Sequence, residues 1–345
     1  MRSDRTGPMG FSIGPVKIDD PVFLAPMTGV TDLPFRRLVR RFGAGLVFSE
    51  MIASRLMLEQ MRRSPDTEAI DYDSEFPMAV QLAGCEPEVI AEAARIHADR
   101  GASIIDLNFG CPVKKVVNNF SGSALMKDEA LATRIMEETV KAVNIPVTVK
   151  MRLGWDETCI NAPTLAKRAE DVGIRMITVH GRTRNQMYKG HADWSAVRAV
   201  KESVSLPVIV NGDILNGDDA SRALRESGAD GVMIGRGSYG RPWVVRQIMD
   251  HFRDGQSGAD PTLAEVSDLI QDHYDAMIAH HGNHLGVAIA RKHIGWYCGD
   301  GNAAIALRST VNQMTDPKAV KVKLREYFDG LLQRQTAAPG VCAAA

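Results

Sequence analysis

Eight short β-branched runs, most of them followed by a longer stretch with helical spacing, constrain this chain more tightly than any other feature. They are VFLAPM (22–27), GLVFSEM (45–51), MAVQLAG (78–84), SIIDLNFG (103–110), PVTVKMR (146–152), MITVHGR (176–182), PVIVNGD (207–213) and GVMIGRG (231–237). Between them lie PEVIAEAARIHADRG, DEALATRIMEETVKAV, TLAKRAEDVG, DWSAVRAVKES and DDASRALRESG, whose apolar residues recur about every 3.6 positions. Several of these stretches end at glycine, as a helix C-terminus does. Alternating strand and helix implies a parallel sheet, and eight such units within roughly 230 residues imply closure into a TIM barrel. A doubly wound open sheet is the rival that the same alternation permits.

Beyond residue 252 the pattern changes. FRDGQSGADP (252–261) is a polar joint containing Gly and Pro. The segments after it, LAEVSDLIQDHYDAMIAHHG, HLGVAIARKHIGWYCG, AIALRSTVNQM and AVKVKLREYFDGLLQR, keep helical spacing without a strand pattern. The expected architecture is α/β: a (β/α)8 TIM barrel over residues 1–252, a C-terminal all-helical domain over 262–336, and a flexible tail over 337–345. No apolar run approaches the roughly 18 residues that span a bilayer, and MRSDRTGPMGFSIG lacks the apolar core of a signal peptide. No membrane partner is therefore expected. Cysteines at 85, 111, 159, 298 and 342 form no CxxC pair, which suits a reducing cytosol. The chain ends Cys342-Ala343-Ala344-Ala345, a literal prenylation pattern. With no basic stretch just upstream, a frayed alanine-rich tail is the expected reading. A net charge of −1 gives no general attraction to nucleic acid, so any polyanion-binding surface must be a local patch.

In such a barrel, chemistry sits where strands end at the C-terminal rim. Polar or flexible residues stand at or near every one of those ends: Met27 with Thr28, Glu50, Gln81, Asn108 with Cys111, Lys150, His180, Asn211 with Asp213, and Gly235 with Arg236. Glycines after strands seven and eight free backbone N–H groups to approach an anion. GRGSYG (235–240) follows the eighth strand, so it reads as a phosphate cradle rather than a Rossmann turn, which belongs to a first strand. A phosphate there, with Gln81, Lys150 and His180 around the ring, points to FMN lying across the mouth. A lysine can stabilise the negative charge of a reduced flavin, and a glutamine amide can meet its pyrimidine edge. Lys150 as a solvated strand-end charge and His180 as a satisfied core histidine are the plainer alternatives. Cys85 and Cys159 read as packing residues. Cys111, between Gly110 and the φ-locking Pro112, is aimed over the mouth. An ordinary thiol pKa of about 8.5 keeps it protonated at neutral pH, which suits a proton donor. A donor thiol beside a hydride donor implies reduction of a polarised C=C bond.

APMTGVTDLPFR, SEM, QLAG, DLNFGCPVKKV, VKMR, VHGRTR, VNGDI and GVMIGRGSYGRPW together resemble the tRNA-dihydrouridine synthases, and most closely their bacterial B-type branch. RKHIGWYCG (291–299) extends the resemblance into the helical region. The resemblance implies an FMN barrel with a helical domain, tRNA in the cleft between them, and NADPH (or NADH) as reductant. It implies that Pro26, Met27 and Thr28 line the flavin, Gln81 and Lys150 bond its ring edge, and His180 assists near phosphate or ring. Asn211, Gly212, Asp213, Gly235 and Arg236 would hold the ribityl phosphate. Cys111 would be the general acid, giving a proton to uracil C5 while hydride reaches C6. Thr28 stands where the family commonly has alanine, and Ser121 in NNFSGSALM (118–126) where it usually writes Ala-Gly. Substrate contacts are expected from Asn108, Lys114, Lys115, Arg152, Arg182 and Arg184. Arg291, Lys292 and His293, beside Trp296 and Tyr297, would add more, since RNA readers pair cations with stacking aromatics. Lys321, Lys323 and Arg325 read equally well as a solvated helix face. No metal site and no obligate protein partner is expected. An FMN barrel acting on a small free ring, an RNA-binding regulator with a silent flavin and a flavin-free sugar-phosphate isomerase are the rival functions.

Overall fold

A computed structural model describes residues 7–63, 70–72 and 74–337. The Cys342 pattern and the expected tail beyond Ala337 lie outside these described residues. An antiparallel hairpin, β1 (Phe11–Ile13) and β2 (Val16–Ile18), comes first. The barrel strands follow: β3 (Val22–Leu24), β4 (Leu46–Phe48) with its continuation β5 (Ile52–Ala53), β6 (Met78–Ala83), β7 (Ile104–Phe109), β8 (Val147–Arg152), β9 (Ile177–His180), β10 (Val208–Asn211) and β11 (Gly231–Ile234). Neighbours are parallel, and β11 pairs with β3, Val232 opposite Val22, joining last to first. Closure leaves no free edge and rules out the open sheet. Val, Ile and Leu dominate because both faces are covered, by the interior and by the helices. All six residues of β6 and all six of β7 are buried.

The helices of this unit are α1 (Leu33–Arg41), α2 (Ser54–Arg63), α3 (Pro87–Asp99), α4 (Lys114–Val117), α5 (Glu129–Ala142), α6 (Ala162–Asp171), α7 (Arg198–Ser203), α8 (Gly217–Ser227) and α9 (Val244–Asp254). Side-chain caps start several of them, each accepting an otherwise orphaned N–H. Asp32 accepts from Phe35 N, Asp128 from Leu131 N and Asn216 from Asp219 N. Among the described residues no helix is long and apolar enough to cross a membrane.

Two features depart from the pattern read in the sequence. The hairpin β1–β2 is one; its Ile13, Val16 and Ile18 join Phe23, Phe48, Ile104, Met176 and Met233 in the barrel core. Gly14, at φ 58°, makes its turn. The second is the break in GLVFSEM, where one expected strand becomes β4 and β5, both paired with β6. Ser49 causes the break: its Oγ accepts the Gln81 backbone N–H at 2.9 Å, taking the place of a strand carbonyl. The freed segment turns Glu50 so that its carboxylate accepts from Gly29 N.

A second compact unit combines Tyr239–Pro242 with the residues from Ala259 onward. It holds α10 (Leu263–Cys298), α11 (Asn302–Gln313) and α12 (Pro317–Ala337). Thr262 and Glu265 form a capping box at the start of α10, and Gly282 at φ 75° interrupts it. Ile270, Tyr274, Met277, Val287, Ile294, Leu307, Val320, Leu324 and Phe328 form its core. Tyr239 stacks on Trp296 with ring centroids 3.9 Å apart, and a Cβ on Gly240 would stand 2.3 Å from the Trp296 carbonyl oxygen. Tyr239 and Gly240, the last two residues of GRGSYG, therefore pack within the helical unit.

Candidate active site at the barrel mouth

Cys111 lies two residues beyond β7, and the backbone on both sides of it is tied down. Asn108 Oδ1 accepts from Gly110 N at 3.1 Å and from Cys111 N at 2.9 Å. The Cys111 carbonyl accepts from Ser123 Oγ at 2.9 Å and Ser123 N at 3.1 Å. Gly122, at φ 62°, makes that approach possible: a Cβ there would sit 2.8 Å from the Cys111 carbonyl oxygen. The thiol is half-buried. Burial pushes its pKa up, outweighing a backbone bond near Val113 and the charges of Arg152 and Lys150. It is an acid at neutral pH, not a resting thiolate.

Alternation along β8 turns Lys150 and Arg152 to the interior face, and β9 and β10 end there in His180 and Asn211. Lys150 Nζ donates to Asn211 Oδ1 at 3.0 Å, and Asn211 Nδ2 donates to the Met233 carbonyl at 2.8 Å. Burial first, and then Arg152, lower the Lys150 pKa to about 8, against the opposing pull of Asp106 and Cys111. Arg182 Nη1 lies 3.2 Å from His180 Nε2. A guanidinium only donates, so Nε2 accepts and the imidazole proton sits on Nδ1. Burial, reinforced by Arg152, Lys150, Arg182 and Arg236, holds the His180 pKa well below its ordinary value, so the ring is neutral at pH 7. Asp213, at φ 52°, accepts from Arg182, from Arg236 Nη2 at 2.9 Å and from Ala192 N at 2.8 Å. Lys150, Arg152, Arg182 and Arg236 all act on His180, and the carboxylates among them are Asp213, paired with Arg182 and Arg236, and Asp106, which faces Lys150, so positive charge remains in surplus at the mouth. A phosphate-bearing, electron-accepting group fits that surplus.

Several expected ligands are bonded to one another or to the loops of the site. Asn108, expected at substrate, has its carboxamide committed to Gln81, Gly110 and Cys111. Gln81, expected at the flavin edge, is buried between Asp106 and Asn108. Asn211 and Asp213, expected at the phosphate, have their side chains on Lys150 and on Arg182 and Arg236. Arg152 and Arg182, expected to grip RNA, are each 1 % exposed. Arg152 donates to the carbonyls of Gly110, Thr183 and Met187, and Arg182 to those of Lys189 and Gly190. After the last strand the tight glycine is Gly237, where a Cβ would stand 2.5 Å from the Ile214 carbonyl oxygen; Gly235 has ordinary clearance beside Met27. Gly212, at φ 117°, packs on the His180 ring. The turn after β11 is a short 3₁₀ segment (Arg236–Ser238), with no long helix aimed at the mouth before α9.

Pro26, Met27 and Thr28 follow β3, with Met27 N donating to Thr31 Oγ1 at 2.9 Å. Arg236 is half-exposed. Lys114 and Lys115 are exposed on α4 just past Cys111. Arg184 lies over the Trp155 ring at 4.6 Å, with Lys127 4.8 Å from the same ring, a pairing the spacing did not reveal. In the helical unit, Lys292 is half-exposed and Arg291 donates to the Met314 carbonyl. His293 is buried against His273 and Trp296, so it shapes that cluster from inside instead of offering a surface contact. Asp106, Thr148 and Tyr188 were not anticipated. Asp106 was discoverable as a carboxylate inside the apolar run IIDLNF.

Known proteins share this sequence over most of its length. Residues 23–332 match the family model described as dihydrouridine synthase (Dus). A probable tRNA-dihydrouridine synthase of Rickettsia conorii is 56 % identical over 321 residues, covering 93 % of this chain and 97 % of the relative. One from Rhodobacter capsulatus is 49 % identical over 320 residues, covering 93 % and 98 %. The tRNA-dihydrouridine synthase B of Xanthomonas axonopodis is 46 % identical over 321 residues, covering 93 % and 96 %. The resemblance carried by NFGCP and its companion motifs is borne out: this chain belongs to the dihydrouridine synthase family.

Proposed function

We propose that this flavin-dependent oxidoreductase reduces a uridine within tRNA to 5,6-dihydrouridine, with FMN bound at the barrel mouth, NADPH or NADH as reductant and Cys111 as the acid. One observation carries the reading: a thiol held protonated by burial, on a loop clasped by Asn108 and Ser123, beside a surplus of buried positive charge. When bound and reduced, the flavin supplies hydride to uracil C6. The protein supplies the rest. Lys150, anchored on Asn211, would hold the ring edge, and its positive charge would favour the electron-rich form. His180 offers Nδ1–H as a neutral donor. Arg236, steered by Asp213, and the backbone around Gly212, Gly235 and Gly237 would take the ribityl phosphate.

Cys111 gives its proton to C5, completing addition of H⁻ and H⁺ across the C5=C6 bond. Lys150 and Arg152 stabilise the thiolate that remains until solvent reprotonates it. The uridine must leave its stack to reach this site, as any base undergoing chemistry must. Lys114, Lys115 and Arg184 of the barrel unit would meet the phosphate backbone, and Lys292 is a candidate contact of the helical unit taken by itself. A cytoplasmic location follows from a tRNA substrate.

The decisive experiment is Cys111→Ala. It should retain FMN and oxidise NADPH at the wild-type rate while forming almost no dihydrouridine in tRNA. Wild-type turnover by this variant would remove the thiol from the reaction, and faster reduction of free uracil than of tRNA would overturn the substrate.

A further inference from the structure

Three adjacent strands set polar side chains in one interior layer of the barrel. Register places Gln81 of β6 opposite Asp106 of β7, and Asp106 opposite Thr148 of β8; all three are buried. Thr148 Oγ1 donates to Asp106 Oδ1 at 2.6 Å, and Gln81 Nε2 donates to Asp106 Oδ2 at 2.7 Å. Gln81 Oε1 accepts from Asn108 Nδ2 at 2.7 Å. Asn108 Oδ1 then accepts from the backbone of Gly110 and Cys111. The chain runs unbroken from the barrel centre to the residue bearing the thiol.

We propose that Asp106 is a positioning residue for Cys111: its carboxylate sets the sense of the Gln81 and Asn108 side-chain amides and so holds the Cys111 backbone for proton delivery. A side-chain amide has two orientations of nearly the same shape, one presenting oxygen and one presenting N–H₂. An ionised carboxylate only accepts, so it forces Gln81 to turn Nε2 inward and leave Oε1 for Asn108. Asn108 must then turn Nδ2 toward Gln81 and keep Oδ1 for the Cys111 N–H. Reversing either amide sets donor against donor or acceptor against acceptor where no water compensates. One buried charge thus removes two ambiguities at once.

The charge is held against burial. Desolvation raises the Asp106 pKa from 3.8 to about 6, while the bonds from Gln81 and Thr148 and the charge of Lys150 pull it back. Lys150 on β8 is the charged group facing it; Gln81 from β6 and Thr148 from β8 are its other polar neighbours. Protonation lets Asp106 donate toward Gln81, and the enforced sense of the relay is lost.

The proposal rests on Cys111 acting as the acid, and the test separates the two. It uses the full-length holoenzyme with Asp106→Asn, which keeps the shape but can present either end, and Thr148→Val, which removes one donor. Asp106→Asn should lower kcat for dihydrouridine formation by roughly tenfold or more, the scale of a small misplacement of reacting atoms. Its KM for tRNA and its flavin reduction by NADPH should match wild type. Alkylation of Cys111 by iodoacetamide, followed on its own peptide, should become faster as the loop loosens. The acid limb of kcat near pH 6 should disappear in Asp106→Asn. In Thr148→Val that limb should move to higher pH, because losing a donor favours the protonated acid. Wild-type kcat and alkylation in Asp106→Asn, or an acid limb that stays in place in Thr148→Val, would overturn the relay. Should the parent enzyme form no dihydrouridine, the functional reading fails, while the alkylation rates still decide the relay. If Asp106→Asn does not fold, Thr148→Val decides it.

Discussion

Replacing Asp106 by Asn should stabilise the fold at neutral pH even while it impairs turnover. Asp106 is buried, and its pKa rises from 3.8 to about 6 in spite of Gln81, Thr148 and Lys150. Each pKa unit corresponds to about 1.4 kcal/mol, so holding the carboxylate ionised at pH 7 disfavours the folded state by about 3 kcal/mol. Because the folded pKa lies above the unfolded one, the native protein holds this proton more tightly. The stability contributed by the neutral acid is complete below about pH 4 and is lost as pH rises through about 6. Asn resembles the neutral acid at every pH. Asn carries no charge to desolvate, and because it can turn either end toward Gln81 it no longer enforces one sense on the amides. The advantage of Asn over Asp should therefore be largest above pH 6 and fade toward pH 4. At pH 7 it should raise Tm by about 4 °C for 345 residues, at an unfolding entropy of about 2.1 cal/mol/K per residue. Circular-dichroism melts of both proteins at pH 7 and near pH 4 measure this. A lower Tm for Asp106→Asn at pH 7, or a gain that survives unchanged at pH 4, would show that the carboxylate is compensated by its partners and that the opposition between stability and function is absent.

Gly212→Ala should destabilise the barrel by about 2–4 kcal/mol, because strain at positive φ adds to steric overlap. Its φ is 117°, and a Cβ would stand 2.7 Å from Ala192 Cβ and 2.8 Å from His180 Cδ2. Urea midpoints check the stability, and the flavin absorbance of the purified protein should fall with it. Lys114→Glu combined with Lys115→Glu should raise KM for tRNA and reduce the steepness of the log K against log salt plot by about 1–2 units. An unchanged salt slope would place these exposed lysines away from the RNA.

What the sequence discloses, and what it withholds, follows from the length scale of each signal. Parallel strands buried on both faces are near-continuous apolar runs, so β6, β7 and β8 stand out unaided. The hairpin FSI–VKI carries period 2 as well, but three residues contain too few alternations to register. The break at Ser49 depends on a hydroxyl replacing a carbonyl, which no hydrophobic period encodes. The same division runs through the site. Strand ends locate Lys150, His180 and Asn211, and alternation alone puts Asp106 on the same face as Asn108. Only the cross-strand register reveals that Gln81, Asp106 and Thr148 touch. Arg152 and Arg182 look like surface cations in sequence because each follows an apolar run. In the fold, their N–H groups satisfy carbonyls at Gly110, Thr183, Met187, Lys189 and Gly190. An arginine that satisfies the carbonyls of a loop is buried by the loop it organises. The cations nearest the chemistry are therefore poor guides to RNA contacts, and under the proposed function the grip on tRNA would fall to exposed ones such as Lys114 and Lys115.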